Sequence, residues 1–347
     1  MEKDISFSDG VRHLYVPKLN QTKKMFSYGI REWLNRSKHY IVSETGTNYI
    51  KIVYYDELEL FGALSYDISR LSCAFLESTT NVIESTVNDK FLAWTLVQYY
   101  YSAFYSAHSI IRILGFGLVQ LDSTIINILC NKANMSRVAW QLQSRQGIYC
   151  IQFDIQSQEI VLYNIGRYDD SHRGLWKRFY EVLNVITGEY VMTNTYGNDC
   201  IRLRNINEDY PLSVFGKIEH QDALESINRL DELKNNLNVR GDSNWLSGIR
   251  NIINYNHGLG SWYPYQNSFK SYKTVAKLKK ICFENFLSDS FCTGVDDVLI
   301  KYVKTCQLIN SLNFDLLCDL RERNPEGKSF LKEYVFRFYN EYCDKKV

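Results

Sequence analysis

Four prolines in 347 residues leave long stretches in which nothing interrupts a helix, and apolar residues fill those stretches at helical spacing. The clearest runs from Asn88 to Leu114. Asn88 is a candidate N-cap, and Ala103, Phe104, Ala107, Ile110, Ile111 and Leu114 step by one, three or four along one face. Gly115 follows as the stop signal. Ser102, Ala103, Ser106 and Ala107 are small, so a second helix can approach this face closely. Helical spacing also marks Asp56–Glu84, Ser171–Thr187, His220–Asn236, Trp245 to about Asn256, Tyr272–Phe286, Val295–Glu322 and Lys328–Tyr342. A mainly α fold is therefore expected.

Strand signals are fewer. Residues 1–56 read as irregular and strand-like, with His39–Ser43 and Asn48–Tyr54 forming a hairpin around Glu44-Thr-Gly-Thr. Tyr149–Ile155 and Ile160–Ile165 form a second pair across Gln156-Ser-Gln-Glu. The organisation expected is an N-terminal strand-containing segment over 1–56, the first part of a helical bundle over 57–117, an inserted α+β accessory region over 118–240, and the second part of the bundle over 243–347. The polar stretch Asn238–Asn244, with Gly241, serves as the return linker, and Asp242 or Ser243 caps the helix that follows.

Composition narrows the function. The formal net charge is +1, so any affinity for nucleic acid must come from a local patch. The N-terminus lacks the apolar core of a signal peptide, and the most apolar stretch, Phe104–Val119, is broken by Ser106, His108 and Arg112. No membrane association and a cytoplasmic location are expected. Nine scattered cysteines, an odd count with no CxxC pair, suggest neither a disulfide framework nor a zinc site. P-loop, dinucleotide-turn, HExxH and GxSxG patterns are absent. No cofactor and no metal are called for.

Chemistry concentrates in Arg250-Asn-Ile-Ile-Asn-Tyr-Asn-His257-Gly. Residues seven apart lie on nearly the same face of a helix. A histidine there can take a proton from a ribose 2′-OH or protonate the leaving oxygen, and an arginine can fork onto the phosphate. Asn251 and Asn254 are placed to orient either group. The run Arg250–Gln266 contains no Asp or Glu, so it offers no carboxylates for Mg²⁺. Downstream, Trp262, Tyr263, Tyr265, Phe269 and Tyr272 interleave with Lys270, Lys273, Lys277, Lys279 and Lys280, and Lys273, Lys277 and Lys280 share a face. Such a pattern can stack bases and hold phosphates, or form a solvated basic face over an aromatic belt. A second Arg–His pair, Arg167 and His172, lies between strand and helix beside Asp169 and Asp170, and reads as a polar loop leading to a cap. His108 reads as an interior histidine.

Arg250, Asn251 and His257 resemble the signature of the HEPN superfamily, in which an arginine precedes a histidine by four to six intervening residues. Tyr99-Tyr-Tyr-Ser-Ala-Phe-Tyr-Ser-Ala-His-Ser-Ile-Ile is similar to the Tyr- and Ala-rich helix that packs beside that motif. The resemblance covers 57–117 and 243–345. It implies a HEPN-like helical bundle, a metal-independent endoribonuclease with Arg250, Asn251 and His257 in the active site, and a homodimer in which the two motif helices face each other. It also implies a toxin or antiviral-defence setting. Tyr263, Tyr265, Lys270, Lys273, Lys277 and Lys280 would then bind the RNA. Two readings compete. In one the chain is a non-catalytic helical module that binds RNA, a nucleotide or a protein. In the other, residues 118–240 sense a ligand or protein partner and regulate the nuclease.

Overall fold

A computed structural model describes residues 11, 14–23, 25–87, 92–143, 146–166, 171–195, 198–203, 209–211, 220–239, 241–259, 261–262, 298–324 and 326–343. The chain is mainly helical, with a five-stranded antiparallel sheet. It divides into two compact units, one of residues 16–81, 104–175 and 320–347, the other of 1–15, 82–103 and 176–319.

The first of these holds the five-stranded sheet, in the order β1-β2-β5-β4-β3. Its strands are β1 (Tyr40–Thr45), β2 (Tyr49–Tyr54), β3 (Phe116–Leu121), β4 (Gly147–Asp154) and β5 (Glu159–Gly166). Both expected hairpins form. They also join each other, because β2 pairs with β5 in a register that sets Ile50 opposite Leu162 and Ile52 opposite Ile160. All four of those side chains are buried, so the alternation of the two strands puts one apolar face inward. Segments read as separate, 1–56 and 118–240, thus share one sheet.

Two helices, like strand β3 absent from the sequence reading, complete this unit. Helix α1 (Ile30–Arg36) lies within the segment read as irregular, and α4 (Ser123–Met135) follows β3. Asp122 caps α4 by accepting from the Ile125 amide at 3.0 Å, and Ile125, Ile126, Leu129 and Ala133 face inward. Tyr40 ties the three elements together. Its hydroxyl donates to the Leu34 carbonyl of α1, its ring lies 5.0 Å from Trp33, and Lys132 of α4 donates to its carbonyl and sits 3.8 Å over its ring. Helix α2 (Glu57–Val87) begins in this unit, and α3 (Leu92–Ile113) ends in it. Gly115, at φ 81°, turns the chain out of α3 into β3, so the expected stop signal sits where the backbone turns left-handed. Near the C-terminus the chain winds through π-helical turns at Leu331–Val335 and Tyr339–Cys343, with α-helix between them.

The second unit contains a three-stranded antiparallel sheet, β6 (Tyr190–Thr195), β7 (Asn198–Leu203) and β8 (Asp209–Pro211), none of it foreseen. Around it in sequence come most of α5 (Ser171–Glu189), then α6 (His220–Leu237), α7 (Trp245–Tyr255) and α8 (Val298–Glu322). The small face of α3 meets α8 here. Ser102 is fully buried and accepts from Asn310 at 2.7 Å, while Tyr302 donates to the Leu96 carbonyl at 3.1 Å. The expected helix at Tyr272–Phe286 lies outside the described residues, as does Asn88. Among the described residues, no helix is long and apolar enough to cross a membrane.

Candidate functional site

Helix α7 carries the Arg–His motif. A tight turn leads into it: Val239 and Asp242 bond each other's backbone in both directions, and Gly241 between them takes φ 83°. The N-cap position is Asn244 rather than Asp242 or Ser243, and Asp242 instead accepts from the Asn244 amide at 2.8 Å. Trp245, Leu246, Ile253 and Arg250 face inward.

Arg250 is 6% exposed, unusually buried for a group that is always charged. Its guanidinium carbon lies 5.2 Å from the ring centre of Tyr100 and 5.7 Å from that of Tyr101, both on α3. The negative ring faces offset part of its lost hydration. Its Nε has no hydrogen-bond partner. Tyr100 is the hub of this cluster. Its hydroxyl accepts from the buried indole of Trp176 at 2.9 Å, and the two rings meet edge to face at 5.8 Å. Burial raises the Tyr100 pKa, while Trp176, Ser247 and Arg250 pull it down. Burial likewise pushes the Tyr302 phenol well above its ordinary value. Tyr99 and Tyr100 are interior residues, so the Tyr-rich helix is built into the core around Arg250.

His257 is placed differently. The sequence puts it on the same helix face as Arg250, but α7 ends at Tyr255 and the chain turns before the second full turn is complete. His257 adopts φ 50°, in the left-handed region. The Gly258 amide reaches back to the Ile252 carbonyl at 3.0 Å, and a side chain at Gly258 would stand 2.6 Å from Ile252. His257 is exposed, and its ring lies 5.3 Å from Trp262. Trp262 is fixed by its indole N–H, which donates to the carbonyl of Ile253 in the last turn of α7. The helix end therefore presents a braced, solvent-facing imidazole, while the arginine seven residues earlier is interior. Asn251 is exposed beside it and Asn254 is half-buried. Tyr263, Tyr265, Lys270, Lys273, Lys277 and Lys280 lie outside the described residues, as does Arg167.

The other unit gathers charged residues that sequence separation concealed. Arg112 of α3 donates to the His108 carbonyl at 2.9 Å, to His108 Nδ1 at 3.2 Å and to the Leu118 carbonyl at 3.0 Å. Its Nε faces Asp67 of α2 at 3.6 Å. Asp67 also accepts from the Ile30 amide at 3.2 Å and lies 3.6 Å from Arg70. The rings of His108 and His172 both contact Phe104, at 4.8 and 4.4 Å. Burial and then electrostatic interaction with Arg112, Arg70 and His172 hold His108 well below its ordinary pKa. Because an arginine can only donate, Nδ1 of His108 is the acceptor and the neutral ring carries its proton on Nε2. Comparison with protein-family models, with curated proteins and with solved structures gave no match in any of the three.

Proposed function

We propose that the chain is a metal-independent endoribonuclease that cuts RNA by attack of the 2′-OH on the adjacent phosphate, with His257 as the proton-transfer group. The observation that carries this reading is the placement of His257. A non-glycine residue in the left-handed region, exposed at a helix end and braced by Trp262, is a local backbone cost spent on holding one imidazole in solvent. Histidine titrates near neutral pH, so it can serve a ribose hydroxyl without a large pKa shift. Arg250 supplies a fixed positive charge on the same helix, and Asn251 offers an exposed amide to orient the phosphate. The strand is gripped downstream by Tyr263, Tyr265, Lys270, Lys273, Lys277 and Lys280. A homodimer supplies a second imidazole, so that one acts as base and the other as acid. A toxin or antiviral-defence role goes with this chemistry.

The burial of Arg250 favours a second reading, in which it is a core residue of a helical module that binds RNA without cutting it. One experiment separates them. Purified chain is incubated with total RNA in excess EDTA, beside folded His257→Ala and Arg250→Gln. We expect fragments ending in 2′,3′-cyclic phosphate, with each variant slowed roughly a hundredfold or more. His172→Ala should cut normally. Intact RNA that nevertheless co-elutes with the wild type supports the binding module. Light scattering at micromolar concentration is expected to report a dimer.

A further inference from the structure

A cavity of about 150 Å³ opens in the unit that holds the five-stranded sheet, and Arg31, Arg70, Arg112 and Asp67 line it together with apolar side chains. Three guanidinium groups stand against Asp67 in the lining and Asp122 paired with Arg31, which leaves an excess of one positive charge. The groups are not equally committed. Arg112 spends its Nη1 and Nη2 donors on the His108 and Leu118 carbonyls and on His108 Nδ1, and it is buried, so it fixes the floor. Arg31 is held by the Gln120 carbonyl and Asp122. Arg70 has a half-exposed side chain, and the contact that holds it is to Asp67 at 3.6 Å, longer than a hydrogen bond. Asp67 is already engaged with the Ile30 amide and Arg112. Arg70 thus stands at the mouth with its fork of donors available.

The remaining wall is apolar, from Leu64, Val119, Ile151 and Phe153. Gly117 of β3 completes it. A Cβ there would meet Arg112 Cγ at 3.8 Å and Ile151 Cβ at 3.9 Å, an ordinary contact, so a side chain can start from Gly117 without a clash at its first carbon. A cavity of this size takes one six-membered ring. A planar carboxylate matches the fork of an arginine in a way that a neutral group does not.

We propose that this cavity is a binding site for a small carboxylate with a flat, ring-sized apolar body, its head group held by Arg70 and its body against Val119, Ile151 and Phe153. The site is independent of His257 and the ribonuclease reading, so either can fail alone.

Benzoate is the probe. Full-length wild type, Arg70→Gln and Gly117→Val are titrated with benzoate, with benzamide as the neutral isostere and with inorganic phosphate, by calorimetry. Circular dichroism and unliganded melting confirm that each variant is folded. Benzoate is expected to bind the wild type, with benzamide and phosphate each at least about tenfold weaker. Arg70→Gln and Gly117→Val should each weaken benzoate by a similar factor, the first through the head group and the second through lost space. No binding of benzoate at millimolar concentrations overturns the proposal. So does benzoate binding that neither variant changes. Benzamide binding equally well would remove the role of Arg70, and phosphate binding equally well would remove the role of the apolar wall.

Discussion

Arg112 and Arg250 are buried almost equally, at 8% and 6% exposure, yet their surroundings differ in kind. Arg112 has a carboxylate, two backbone carbonyls and an imidazole nitrogen around it. Arg250 has the faces of two tyrosines and a bare Nε. Burying a charge is costly unless it is paired and hydrogen-bonded. The first arrangement meets that cost with partners that would themselves be stranded if the arginine left. In the second arrangement removal of the arginine takes one donor from the Tyr100 hydroxyl, which keeps Trp176 as another, and leaves no carboxylate without its cation. Arg112 is therefore tied into its cluster by polar partners, whereas Arg250 is held mainly against aromatic rings.

The largest expected effect tests this difference directly. Arg112→Met should lose about 3–5 kcal/mol, because the buried Asp67 loses one of its two arginines and two carbonyls lose a donor. Arg250→Met should lose about 1 kcal/mol or less, since a methionine of similar length fills the space against Tyr100 and Tyr101 and strands no carboxylate. Urea denaturation of both variants measures the gap. Equal losses would end the contrast and return Arg250 to the role of a core residue. A stable Arg250→Met that no longer cuts RNA would sharpen it.

A second test uses two glycines. A Cβ on Gly29 would stand 2.1 Å from Asp67 Oδ1 and 2.6 Å from its Cγ. Asp67 cannot retreat, because it is engaged with the Ile30 amide, Arg70 and Arg112. Gly29→Ala should cost roughly 1–3 kcal/mol, as overpacking usually does. Gly248 in α7 has nothing within 4 Å of such a Cβ, so Gly248→Ala should stabilise by up to about 1 kcal/mol through helix propensity. Opposite signs in thermal melts are the expected result. A destabilised Gly248→Ala would mean that α7 is packed as tightly as the Asp67 cluster.

The same contrast explains what could be read from the sequence. Period and punctuation carried the long helices and both hairpins, because those signals are local: the apolar face of α3, the stop at Gly115 and the alternation in β2 and β5 lie in adjacent residues. Helix α4 carries a local signal, Asp122 as its cap and Ile125, Ile126, Leu129 and Ala133 in step, but at 13 residues that signal is short and sits beside a longer apolar run. Pairing of β2 with β5 joins residues more than a hundred positions apart, and nothing local states that register. The Asp67–Arg112–His108–His172 cluster is hidden for the same reason. At the candidate site the spacing of Arg250 and His257 was read as one helix face. The left-handed turn at His257, with Gly258 packed on Ile252, breaks that face two residues after the helix ends. A glycine after a histidine marks a helix stop, but it does not say which of the two residues takes the left-handed conformation.

The smallest effect expected is a pH dependence seated in the Arg112 cluster. His108 accepts from Arg112 through Nδ1, so protonating that nitrogen breaks the bond and sets two cations side by side. Burial comes first among the causes that hold its pKa well below the ordinary 6.5, followed by Arg112 on its own helix, Arg70 on α2 and His172 on α5. In the unfolded chain the ordinary value returns. Below about pH 6.5 the unfolded state therefore binds a proton that the native state refuses, and stability falls as the pH falls, until the native pKa is reached. One proton corresponds to about 1.4 kcal/mol per pH unit at full difference. His108→Gln keeps an oxygen acceptor for Arg112 and removes the titration. Urea midpoints at pH 7.0 and 5.5 should fall further for the wild type than for His108→Gln, by somewhat less than the full one-proton slope across that interval. Parallel profiles would mean that His108 takes its proton in the native state as readily as in the unfolded one, and that Arg112 does not depend on it.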